Sequence, residues 1–287
     1  MSTPEPLVGV RAERTLFRAL FDDAAAFPPG LAPIPQAIAD YVARQSSSYA
    51  DLVGPLLLPV SAIEDFLHLE RPRSVDVALI GGPGIDLALV ADARSRLDVD
   101  PGVTLVGVEI GWSRDWHQAL GWNASLSIEV PPGAEQGRAL SELQEHATER
   151  NLVQAKFRTG ATTDAPVPTP TELATFIRAC VDHDLGFKLT GGLHHALSQV
   201  TPDGEDQFGF LNVIAATRWA LAHGAEVPEM RSLLSQRDPL PTVDIITRMS
   251  EADASVLRAF FTAYDCCGVM DPIGDLARLG LIEEAAV

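Results

Sequence analysis

Lysine is almost missing from this chain. Of its 21 Lys and Arg side chains only two are lysine, Lys156 and Lys188. Cysteine is nearly as scarce, with Cys180, Cys266 and Cys267 alone. An odd count without CxxC spacing excludes a disulfide framework and a zinc knuckle, and adjacent Cys266 and Cys267 read as strand or core residues. No run approaches the ~18 apolar residues of a membrane-crossing helix. The opening MSTPEPLVGVRAERT has no apolar stretch of the signal-peptide type, so the expected location is a reducing cytoplasm. Positive charge is short overall, and 39 Asp and Glu leave a formal charge of −18. Such a surface repels nucleic acid and anionic membranes, which removes both from the expected partners. No GxGxxG or GxxxxGK[ST] motif follows the first apolar run, and no cofactor is expected.

What is present is a repeating order. The chain has 287 residues, 46% of them apolar, which suits one (β/α)8 barrel or two smaller domains. Eight short apolar runs recur: TLFRALFDD (15–23), LVGPLLLPV (52–60), SVDVALIGG (74–82), VTLVGVEIG (103–111), SLSIEVPPG (125–133), LVQAKFRTG (152–160), GFKLTGG (186–192) and FGFLNV (208–213). Near-continuous apolar runs closed by Gly, Pro or a polar residue suit a buried parallel sheet. Helical stretches separate them, one of them (171–183) opening at a Thr169 or Thr171 cap. The pattern predicts an α/β fold, a (β/α)8 TIM-like barrel with extra C-terminal helices. Residues 1–14 read as an extension and 15–287 as one domain, with a helical tail from about 225. An open doubly wound sheet is the alternative. VLRAFFTAY (256–264) reads either as a homodimer face or as packing under the barrel.

In a barrel the C-terminal end of each strand faces the site. The first run ends in Asp22 and Asp23, the fourth in Glu109, the fifth in Glu129 and the eighth in Asn212. The sixth carries Lys156 and Arg158, two apart and so on one side of the strand, with Thr159 beyond. The seventh carries Lys188, followed by Gly191, Gly192, His194 and His195. The adjacent histidines would face apart in an extended segment. A charge in an apolar strand needs a partner, and acids and bases arrive in comparable numbers. Lysine, unlike arginine, can give up its proton when desolvated. A second cation lowers its pKa further. These residues therefore predict Lys156 as the reactive amine, tuned by Lys188. Glu109, Glu129 and His194 would move protons. Arg158, Thr159, Gly191, Gly192, His195, Asn212, Asp22 and Asp23 would hold substrate.

AKFRTG (155–160) followed 32 residues on by FKLTGG (187–192) resembles the deoxyribose-phosphate aldolases, class I aldolases whose successive strands carry K-T-S-T-G and K-A-S-G-G. The resemblance implies that Lys156 forms a Schiff base and Lys188 tunes it, with Gly191–Gly192 helping to hold a phosphate. Thr159 and Gly160 match the Thr-Gly of the first motif. Arg158 replaces a small hydroxyl residue, and LHH (193–195) replaces an arginine-bearing stretch. The likeness spans about 40 residues.

The expected function is lysine-dependent lyase chemistry on a small anionic carbonyl compound carrying carboxylate or phosphate. One alternative is a metal-dependent isomerase or hydrolase using Glu109, Glu129, Asp22 and His194 as ligands. The other is a barrel that only binds an anionic metabolite.

Overall fold

The computed structural model describes residues 11–71, 73–148, 152–163, 165–202 and 204–283. Most of the expected extension (1–14), including the opening read for a signal peptide, therefore lies outside the described residues. The sheet is a closed barrel of eight parallel strands: β1 (Phe21–Asp23), β2 (Val53–Pro59), β3 (Val75–Gly82), β4 (Val103–Gly111), β5 (Leu126–Glu129), β6 (Val153–Arg158), β7 (Phe187–Thr190) and β8 (Phe261–Cys266). Neighbours follow chain order, and β8 closes the ring against β1. This is the (β/α)8 TIM-like barrel that the run pattern predicts.

Alternation explains why single polar residues in apolar strands reach the barrel interior. On β6, Val153, Ala155 and Phe157 enter the outer core, so Gln154, Lys156 and Arg158 turn inward. On β7, Phe187 and Leu189 go outward, which leaves Lys188 and Thr190 inside. Aromatic contacts stiffen this quarter. Phe157 stacks on Phe176 at 4.7 Å, Phe176 meets Phe187 edge-on at 5.5 Å, and Phe187 stacks on Phe261 at 5.4 Å. Each fully buried Phe contributes roughly 1.5–3 kcal/mol by leaving water, so the lysine-bearing strands are held firmly from behind.

The helices are α1 (Ile34–Arg44), α2 (Ile63–Leu67), α3 (Leu87–Asp98), α4 (Gln136–His146), α5 (Pro170–Asp182), α6 (Phe210–His223), α7 (Val227–Leu234), α8 (Pro239–Thr247), α9 (Glu251–Phe260) and α10 (Met270–Arg278). Thr169 caps α5 in a box with Glu172. A 3-10 segment, Trp116–Trp122, takes the place of a helix after β4.

Three expectations change. The run 208–213 is no strand: it opens α6, whose residues Phe210 to Thr217 are buried without a break. A short run that is apolar on every side fits a buried strand and a buried helix equally. The eighth strand is Phe261–Cys266. Its leading residues, expected at the end of a helix, belong to the barrel sheet; within VLRAFFTAY (256–264) Phe261 and Tyr264 are fully buried and Val256 is exposed. The extra helices do lie in the C-terminal part of the chain, but α6 to α9 precede the last strand and, among the described residues, only α10 follows it. Finally, the first run forms a strand only over Phe21–Asp23, because Arg14–Phe17 is a 3-10 turn whose Arg14 is tied to Asp51 and to the Ser48 carbonyl. Among the described residues no helix is long and apolar enough to cross a membrane.

Candidate active site

Lys156 and Lys188 stand opposite each other in the β6–β7 register, both amines turned into the barrel. Glu109 from β4 bridges them, one carboxylate oxygen to each Nζ. Asp265 from β8 does the same, with Oδ2 2.8 Å from Lys156 and Oδ1 2.8 Å from Lys188. Two ammoniums and two carboxylates thus form a closed ring. Asp22 from β1 adds a third carboxylate, bound to Lys188. Lys156, Lys188, Glu109 and Asp22 are all at most 4% exposed. Gly54 on β2 makes room for Asp22, since a Cβ there would lie 1.9 Å from the Asp22 Oδ1.

This charge balance sets the protonation. Burial favours the neutral amine of Lys156, but Asp265 and Glu109 outweigh it and hold the pKa above its ordinary value. Burial likewise opposes the charge on Lys188, and Asp22, Asp265 and Glu109 together push its pKa well above the ordinary value. Lys188 does repel the charge on Lys156, as the sequence suggests, but more weakly than the acids attract it. The expected depressed amine is therefore absent in the resting site: three carboxylates, one of them unforeseen, surround two lysines. Asp265 is held below the usual carboxylate range because both lysines overcome its burial. Asp22 carries the surplus negative charge. Burial, only partly offset by Lys188, raises its pKa to about 7.

Above the ring, Arg158 forms a two-point pair with Glu129, Nε to Oε1 at 2.9 Å and Nη2 to Oε2 at 3.2 Å. Its Nη1 faces the turn after β7, where a Cβ on Gly191 would lie 3.6 Å away. Gly191 and Gly192 both have positive φ, and a Cβ on Gly192 would come within 3.0 Å of the Thr159 carbonyl. Only glycine fits this turn without strain. The Thr159 hydroxyl donates to the Gly191 carbonyl, so Thr159 ties the two strand ends together instead of presenting a free hydroxyl.

A cavity of about 510 Å³ opens over these groups at the C-terminal face. Lys156, Asp265, Arg158, Glu129, Gly191 and Gly192 line it, and so does His194. Lys188, Glu109 and Asp22 do not line it and form the layer beneath. His194 lies 3.5 Å from the Cys267 Sγ, and burial, then the neighbouring His195, lowers its pKa.

Three candidates fall elsewhere. Asp23 turns to the opposite face of β1 and pairs with Arg44 of α1. His195 faces away from His194 and lies 3.2 Å from Asp275 of α10. Asn212 is buried in α6, where its amide binds the Ser198 N–H and the carbonyls of Leu233 and Gln236; its place at a strand end was lost with the misread strand.

The metal alternative named Glu109, Glu129, Asp22 and His194. The structure does not gather these four, because Glu129 is taken by Arg158 and His194 lies beside Cys267. Asp22, Glu109 and Asp265 do have ligand oxygens within 4.8 Å of one another, but the two ammoniums already neutralise them. A divalent cation there would have to displace a lysine.

Asp265 is the residue that sequence reading missed. Its signal was present in FTAYDC (261–266), a short run with two aromatics and a β-branched Thr that carries an acid next to its last residue, much as VTLVGVEIG carries Glu109 near its end. No protein-family model matches this chain, and no curated protein matches it.

Proposed function

We propose that the barrel is an enzyme acting on a small anionic carbonyl compound through lysine-dependent, aldolase-like lyase chemistry. The observation that carries this reading is that Lys156 is the one lysine bordering the cavity, directly below a guanidinium and a glycine turn suited to an anion. Arg158 Nη1 and the Gly191–Gly192 turn would take the carboxylate or phosphate. The carbonyl carbon would then lie over Lys156. The ammonium first loses a proton to Glu109 or Asp265, and Lys188 connects both acids to Asp22, whose pKa of about 7 makes it the acceptor closest to neutrality. The freed amine adds to the carbonyl, water leaves, and the iminium withdraws electrons from the neighbouring bond. His194, neutral near pH 7, serves the leaving group from the cavity wall.

Borohydride trapping tests this. Reduction in the presence of pyruvate, the simplest keto acid, and of phosphorylated aldehydes should add the reduced mass to Lys156 and not to Lys188. A Lys156→Ala protein that keeps full turnover would sink the proposal. A second reading is favoured by the raised lysine pKa values: the amines stay charged and act as counter-charges for a bound anion, with or without polarising its carbonyl. In that case the same compounds raise the melting temperature without leaving any mass on lysine.

A further inference from the structure

The cavity has two unlike walls. Toward β5 to β8 it is charged and polar. Toward β1 to β3 it is lined by Ala24, Phe27, Pro28, Pro29, Leu57 and Ile80. Leu57 and Ala24, with Ala78 behind them, form a small apolar cluster separate from the main core, and Phe27 and Ile80 pack on it only partly covered. None of these side chains can donate or accept a hydrogen bond, and the two prolines lack even a backbone N–H. In the barrel ring β2 and β3 stand four places from β6 and β7. A ligand held by Arg158 and by Lys156 that crosses the mouth lays its remaining part on this wall.

From this we infer that the substrate is an anionic carbonyl compound with a hydrocarbon arm, branched alkyl or aryl, and that Leu57, Ile80 and Phe27 select it. The inference rests on the functional reading above and adds the chemistry of the far end of the molecule. A hydroxylated arm, as in a sugar phosphate, would lose its water against the wall and gain no partner. Each methylene buried there strengthens binding by about fourfold.

Phenylpyruvate, pyruvate and hydroxypyruvate share one keto-acid head and differ only in the arm. Each is titrated against the full chain, with thermal shift and borohydride trapping on Lys156 as readouts. The expected order is phenylpyruvate first, at a concentration at least about tenfold lower than hydroxypyruvate. Hydroxypyruvate binding as well as phenylpyruvate, or better, overturns this inference and leaves the proposed chemistry standing. If none of the three raises the melting temperature or marks Lys156, the proposed chemistry falls and the inference falls with it. Ile80→Asn and, separately, Phe27→Asn should shrink the preference for phenylpyruvate severalfold. Both positions are only partly buried, and a melting curve without ligand confirms that each variant is folded. An unchanged preference in both variants also overturns the inference.

Discussion

On β2 and β3 the inward residues of the C-terminal half are Leu57, Ala78 and Ile80; on β4 to β7 they are Glu109, Glu129, Lys156, Arg158, Lys188 and Thr190. The same two-residue alternation serves both sectors, and the outward sets are alike, with Leu56, Leu58, Val77 and Leu79 on one side and Val108, Ile128, Phe157 and Leu189 on the other. The difference lies wholly on the inner face. In the polar sector every charge meets an opposite charge from another strand, across the barrel interior for Glu109 and on the adjacent strand for Arg158 and Glu129. Asp22, carried by β1 beside the apolar wall, shares Lys188 with two other carboxylates, and its pKa is raised. The apolar wall also keeps the local dielectric low, which strengthens the ion ring it borders.

The sharpest way to break this contrast is to remove a charge from one sector and apolar bulk from the other. Lys188→Met leaves three carboxylates sharing one ammonium and should cost about 3–5 kcal/mol in urea unfolding. Ile80→Ala, on the partly exposed wall, should cost less, about 1–2 kcal/mol. Equal losses would show that the ring does not anchor the polar sector. Next in size, Arg158→Gln should weaken the binding of inorganic phosphate or pyruvate by about tenfold to a hundredfold, the worth of one hydrogen bond to a charged group. Thermal-shift titration reads this directly, and unchanged affinity would place the anion elsewhere.

The smallest effect concerns pH. In the folded chain Asp22 keeps its proton up to about pH 7; unfolded, it loses it near pH 4. Between these values the folded state binds more protons, so this group's contribution to stability falls as pH rises. Asp22→Asn removes that contribution. The melting temperature of the variant should decline less steeply than that of the parent from about pH 4 to 7, and the gap should level off above pH 8. Parallel curves would contradict the raised pKa.

Much of this was legible in the sequence because it is periodic. Seven of the eight strands, and the inward turn of Lys156, Lys188, Glu109, Glu129 and Arg158, follow from alternation within apolar runs. The errors have one physical origin. The segment 208–213 is apolar on all faces and so carries no period, while FTAYDC directly continues a helix without a Gly or Pro to mark the change. Misplacing that one strand promoted Asn212 and hid Asp265. The protonation of the lysines was illegible for a related reason: it depends on which acids converge from distant strands, and the one missed, Asp265, is the acid that raises the Lys156 pKa most.

The late position of β8 has a consequence for assembly. Four helices (α6 to α9) and a short antiparallel pair, Gln199–Val200 with Asp206–Gln207, intervene between the strand bearing Lys188 and the strand bearing Asp265. As the chain is synthesised, both lysines emerge well before the acid that completes their ring. Until β8 inserts between β7 and β1, the sheet has two open edges and the ammoniums have a single bridging carboxylate. Closure of the barrel and completion of the ion ring are therefore one event.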